Sequence, residues 1–273
     1  MAFVRRRPNV AIGIALIVTI SMLVLLAPWI APFSPSRMAI ANRMKPPSAI
    51  NWFGTDEFGR DIFTRTLYAG RQSLLVGAAA VCFAVVGGVA FGVLSGFFRR
   101  LDPIISRLID AMMAFPDILL AIALVAAIGP SLGTVIVALG IVYTPRLARI
   151  VRASTLVIRE LPYVEAARAL GVSTPRIISR HVLRNLVSPI VVQGSFIFAY
   201  AMLAEAGLSF LGVGANPDDP TWGTMVRAGH QFAGQAEWLM VFPGLAIMLA
   251  ALSLQLIGDG LRDLLDPRLR KDV

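Results

Sequence analysis

The chain has 273 residues, of which 57% are hydrophobic and only 15% charged, with a mean hydropathy of +0.75. That balance excludes an ordinary soluble domain, in which about a quarter of the residues are charged. The formal net charge of +9 rests on 25 basic residues, most of them flanking apolar stretches, so it reads as a topology signal and not as a nucleic-acid footprint.

Residues 1–7, with Arg5, Arg6 and Arg7, read as a cytoplasmic N-terminus. Residues 8–36 carry no charge. This stretch is too long for the apolar core of a signal peptide, and Pro28, Pro32 and Pro35 crowd the place where cleavage would fall. It is read as an uncleaved first transmembrane helix over 8–31, followed by an extracytoplasmic segment over 32–71. Within that segment stands Gly54-Thr55-Asp56-Glu57-Phe58-Gly59-Arg60-Asp61. Thr55 or Asp56 can close a turn or cap a helix, Gly59 permits positive φ, and Arg60 and Asp61 can pair locally ahead of an amphipathic helix. Calcium binding by Asp56, Glu57 and Asp61 is the rival reading, but the EF-hand spacing is missing. The string resembles the segment between the first two spans in one of the two membrane subunits of dipeptide, oligopeptide and nickel ABC importers.

A second uncharged stretch covers 72–98. Gly87, Gly88, Gly92 and Gly96 recur there at spacings that let another helix approach closely. Cys82 is the only cysteine, so no intrachain disulfide can form. The next uncharged stretch, 118–145, is interrupted by Gly129-Pro130-Ser131-Leu132-Gly133, a turn signal. A hairpin follows, with spans near 104–128 and 134–151. Asp110, Asp117, Arg146 and Arg149 fall close to their ends, and the two aspartates are read as interfacial structural residues.

The segment 153–187 is a polar, basic interruption in this apolar chain. Pro162 suits a first helical position, Gly171 a helix stop, Ser173 or Thr174 an N-cap, and Pro175 the first position of a following helix. Two short helices joined by a tight turn are expected, with Arg176, Arg180 and Arg184 on one face of the second. Glu165, Ala166, Ala167, Gly171 and Leu183 stand in the register of the EAA loop of ABC importer permeases. His181, Leu183 and Asn185 fit the ending found in the peptide branch of that family, whereas Arg184 stands where the pattern has proline. In that family the loop docks into a cleft on a cytoplasmic ATPase. The plainer alternative is an amphipathic hairpin lying on anionic headgroups.

Residues 185–204 and 238–258 are the last uncharged stretches. Glu205, at the outer end of the fifth span, is a candidate for the translocation path, because an ionisable group at membrane depth needs a partner or water. A hydrogen bond to a neighbouring helix is the competing role. The strings 204–214, 220–224 and 258–267 resemble the same importer family. Residues 72–260 are thus read as the permease core and 261–273 as a cytoplasmic tail. Six spans with both termini in the cytoplasm place 18 of the 25 basic residues inside.

The fold implied is all-α and integral to the membrane, with the type I (MetI-like) importer architecture. No P-loop is present: Lys45 and Lys271 are the only lysines, and neither lies in the required glycine-rich context. The chain is therefore read as a transport subunit and not an enzyme, with no catalytic residue, cofactor or metal of its own. The resemblance implies a second homologous permease, two cytoplasmic ABC ATPases that bind ATP and magnesium, and an extracytoplasmic substrate-binding protein, all at the cell (inner) membrane among its lipids. Peptides lead as substrate, with nickel chelates and glutathione-like or opine-like compounds behind. The alternatives from other classes are a secondary transporter or channel, which would show several buried ionisable groups, and a non-transporting anchor that binds partners without flux.

Overall fold

The computed structural model describes residues 8–214 and 220–265; Arg5–Arg7, Arg268, Arg270 and Lys271, invoked above for topology, lie outside the described residues. The described residues are helical, apart from connecting loops and one isolated bridge between Thr55 and Asp61. Helix α1 spans Pro8–Leu25 and a short α2 spans Ala27–Ile30. The long helices are α3 (Ile62–Phe97), α6 (Leu132–Ile158), α9 (Leu183–Leu211) and α11 (Trp238–Leu265), with α4 (Asp102–Met113), α5 (Asp117–Ile128), α7 (Pro162–Ala169), α8 (Thr174–Ile177) and α10 (Trp222–His230) between them.

Local chemistry sets the starts. The Asp61 carboxylate accepts from the Thr64 amide at the head of α3, and the Ser131 hydroxyl accepts from Thr134 at the head of α6. Thr221 and Thr224 form a reciprocal cap on α10. Gly129, with φ +108°, ends α5 just where the turn signal stands.

Three expectations change. The span expected over 104–128 is broken: α4 and α5 meet at 92° across residues 114–116. Pro116 has no amide to donate and pushes Phe115 away from helical geometry, so the helix cannot run through. Among the described residues five helices are long and apolar enough to cross a bilayer, and counting the bent pair as one span gives six. Secondly, the second arm of the 153–187 hairpin is not a separate short helix. A π-helical turn over Ile178–Val182 joins α8 to α9, so that Thr174–Leu211 is one continuous 38-residue rod. Nothing between 178 and 188 breaks it, and Pro189 is absorbed inside the helix. Thirdly, α3 begins ten residues before the uncharged stretch does, because Asp61 nucleates it.

α3 and α6 form the central pair. Cβ atoms added at Gly88, Gly92 and Gly96 would come within 2.8, 2.6 and 2.6 Å of Leu147, Val151 and Thr155, so the glycine spacing is used for close helix contact. One core surrounds this seam and runs into the loop beneath it; a second gathers around buried Trp222 with Val24, Ile62, Met202, Leu239 and Leu254. The Trp222 indole N–H donates to the Thr66 carbonyl at 2.8 Å, and its amide donates to Ser73 Oγ at 3.0 Å. α1 lies against α11 at the margin, with Ile12, Val18 and Met22 turned outward.

Candidate functional site

The hairpin following α6 is held from below. Arg159 donates through its guanidinium to the Gly96 carbonyl at 2.7 Å, which ties the hairpin's root to the end of α3. Val164, Ala167, Ile177 and Val182 are buried beneath it. Gly171 makes the turn at φ +75°, with no neighbour within 4 Å of where a Cβ would stand. Glu165 and Ala166 face outward beside Leu170, which is 83% exposed, and Arg176, Arg180 and Arg184 are exposed along the second arm.

The remaining motif residues hold the two arms together. Asn185 Nδ2 donates to the Tyr163 hydroxyl at 3.2 Å and to the His181 carbonyl at 2.6 Å, and the Tyr163 and His181 rings lie 5.7 Å apart. Leu183 packs on the core edge. Ser179, Arg180, His181, Arg184 and Asn185 line a polar, basic depression beside the hairpin. Arg168 sits over the Phe97 ring at 5.2 Å.

At the opposite end of the bundle, the 54–61 motif folds into a clasp. Asp56 Oδ1 accepts from the amides of Phe58 at 2.9 Å and Arg60 at 2.8 Å, while its other oxygen receives the Arg60 guanidinium. Arg60 thus pairs with Asp56, four residues back, and not with its neighbour Asp61. Asp61 is occupied as the cap of α3 and by Asn51 Nδ2 at 2.9 Å. The Thr55 hydroxyl accepts from the Lys45 amide and donates to the Asn42 carbonyl, and the Thr55 carbonyl accepts from the Trp238 indole at 3.2 Å. Gly59, at φ +72°, lies so close to the Ala39 carbonyl that any Cβ would overlap it. Gly54 faces the Trp238 ring in the same way. The motif joins the loop after α2 to the heads of α3 and α11. Among the described residues no three His, Cys, Asp or Glu side chains gather to hold a metal ion.

Glu205 is 1% exposed. Ser209 Oγ donates to it at 2.7 Å and Thr221 supplies a second side-chain hydrogen bond. The structure places Glu205 inside the α9–α10 junction, where two hydroxyls satisfy it, and not on an open face.

What the sequence reading did not assemble is a charged seam along α6. Arg152 grips Asp102 of α4 with two bonds of 2.6 and 2.9 Å, Arg149 reaches Asp110 at 2.7 Å, and Arg146 reaches Asp117 of α5 at 3.0 Å. The upper two pairs stay open: 36% and 46% exposed for Arg146 and Asp117, 52% and 65% for Arg149 and Asp110. Arg146 also lies over the rings of Tyr143 and of Tyr200 from α9, at 5.8 and 5.2 Å. The three-residue spacing of the arginines was the available signal; the unforeseen bend at Pro116 is what lets both α4 and α5 supply partners. Elsewhere α3, α4 and α6 enclose a wholly different space, an apolar groove of about 690 Å³ that includes Cys82, Phe83, Ile105 and Ile109.

Comparison with known proteins gives a consistent answer. The profile of the family described as "Binding-protein-dependent transport system inner membrane component" matches residues 88–271. A Brucella suis chain, provisionally named as a peptide transport system permease protein, is 48% identical over 97% of this chain and 90% of its own length. The dipeptide transport system permease protein of Alkalihalophilus pseudofirmus is 44% identical, over 95% of this chain and 86% of its own. Among solved structures, an inward-facing crystal form of the MetNI methionine ABC transporter aligns with a TM-score of 0.60 at 20% identity, covering 74% of this chain and 97% of that one.

Proposed function

Because the chain belongs to the family of binding-protein-dependent transport system inner membrane components, we propose that it is the pore-forming permease subunit of an ATP-driven importer of peptides. Its own role is passage and coupling: the chain carries no nucleotide-binding loop, and ATP and magnesium belong to partner ATPases. The peptide assignment rests on the names of the relatives. The partners we assign are a second, homologous permease, two ATPases and an extracytoplasmic binding protein. The hairpin after α6 faces the cytoplasm with both chain termini, and the 54–61 clasp faces outward.

The observation that carries the coupling role is the way the hairpin is mounted. Both of its arms are joined to the bundle, the first to α6 by the short turn 159–161 and the second through the unbroken helix Thr174–Leu211. A force on Glu165, Ala166 and Leu170 therefore reaches α6 across the short turn 159–161, which Arg159 ties to the Gly96 carbonyl, and α9 across the Gly171 turn. Ala167, Gly171, His181, Leu183 and Asn185 keep the hairpin stiff. When the ATPases close on ATP, their cleft moves the hairpin, and α6 and α9 tip the pore between inward and outward openings. Here binding free energy at the ATPase interface shifts a two-state membrane element.

Reversing the docking charge tests this. Glu165→Arg and Gly171→Val leave membrane insertion intact, since neither side chain is part of the core; Gly171→Val strains the turn itself, which stands at φ +75°. Both abolish binding-protein-stimulated ATPase activity or release the ATPases during purification. Normal peptide uptake by both variants would overturn the coupling assignment. Glu205→Gln, by contrast, keeps Ser209 and Thr221 partnered and leaves uptake close to normal.

A further inference from the structure

We infer that the open part of the charged seam, Asp110, Asp117, Arg146 and Arg149, lines the aqueous path through the permease and receives the ammonium and carboxylate ends of a zwitterionic peptide. The inference rests on the importer reading above and adds to it the substrate-contacting residues. Arg146 lies near the middle of α6, a helix long and apolar enough to span the bilayer, yet it and Asp117 are more than a third exposed. Charged groups on a helix that crosses the bilayer face water or another polar surface in preference to lipid tails.

The shape of the seam says which. Helices α4, α5, α6 and α9 converge on one face, contributing two carboxylates, two guanidiniums and the half-exposed Tyr200 ring. Opposite charges alternate there, and each pair is a simple contact that leaves oxygen lone pairs and guanidinium N–H groups free. A zwitterion can insert with its carboxylate on a guanidinium and its ammonium on a carboxylate, so that every ion exchanges one opposite charge for another. Such an exchange leaves no charge unpaired at any stage, which suits a site that must bind weakly and release. A molecule of single charge lacks that option. The lower rung, Asp102 with Arg152, is bidentate and less exposed, and anchors the seam.

The test uses the complete importer, this chain with its permease, ATPases and binding protein, reconstituted in liposomes. Met113, exposed between Asp110 and Asp117, takes the reporter thiol through Met113→Cys in a Cys82→Ala background, which keeps all four charges. A membrane-impermeant methanethiosulfonate reagent is applied from the ATPase side. Without nucleotide the introduced thiol reacts, and vanadate trapping slows the reaction about tenfold as the path closes on that side. Millimolar free dialanine slows labelling, whereas its N-acetylated, C-amidated analogue does not. Asp117→Asn and Arg146→Gln each erase that protection, while Asp117→Glu and Arg146→Lys preserve part of it and report folding. A thiol unreactive in both states, or protected equally by the blocked peptide or by neither, would overturn the seam's role while ATP-driven dipeptide uptake by the same vesicles still upheld the importer. Absence of uptake from the unsubstituted complex would sink the importer reading itself.

Discussion

α6 meets its neighbours along two seams of opposite character. Against α3 it is dry: glycines on α3 receive Leu147, Val151 and Thr155 at contacts that leave no room for a Cβ. Against α4 and α5 it carries three ion pairs beside the apolar packing of Ala121 and Val125, and two of those pairs are open to the surroundings. Dispersion between closely packed helices is short-ranged and geometrically strict, so the dry seam behaves as one rigid body. Ion pairs on an exposed face tolerate changes of distance and of partner and contribute little to stability. One side of α6 is thus built to transmit movement and the other to rearrange.

Overpacking the dry seam gives the largest effect. Gly92→Leu should cost about 1–3 kcal/mol or more, because the new side chain meets Val151 and the Ala148 carbonyl. The expected outcome is loss of monodisperse protein, or a fall of several degrees in the thermal midpoint in detergent. Next comes the bidentate rung: Asp102→Asn should lower stability by up to about 1 kcal/mol, and the loss should shrink in high salt as the remaining interaction is screened. The smallest effect belongs to the open rungs. Asp110→Asn should shift the midpoint by less than about 0.5 kcal/mol, and exchanging the charges through Asp110→Arg with Arg149→Asp should restore it. If Asp110→Asn proved as damaging as Gly92→Leu, the contrast between the seams would collapse. Measuring Gly92→Leu and Asp102→Asn together sharpens it further: the two sites lie in different seams, so their effects should add.

The same contrast marks where the sequence was legible. The dry seam could be read directly, since Gly88, Gly92 and Gly96 lie four residues apart in an uncharged stretch, a spacing that only a helix turns into a face. The hairpin motif was legible too, because Pro162 and Gly171 act on the backbone locally. The charged seam was not. Asp102, Asp110 and Asp117 are spaced by eight and seven residues, which a straight helix would keep on one face; what was hidden is that α4 and α5, bent at Pro116, lie against arginines spaced by three on α6. Glu205 was recognised as exceptional, but its hydroxyl partner Thr221 lies sixteen residues away across a turn. In the 54–61 motif the residues that matter were visible, while the choice of Asp56 over Asp61 for Arg60 depended on the loop closing back on itself.

The amino-acid sequence by itself determined that this is a helical membrane protein and which family it belongs to. Those properties follow from hydropathy, helix caps and backbone restrictions that act within a few residues. Only the tertiary structure decided that the third span is broken, that the second arm of the hairpin is the foot of a 38-residue rod, and that three aspartates face three arginines. The last of these depends on contacts between residues 29 to 50 positions apart, whose partners no local pattern specifies.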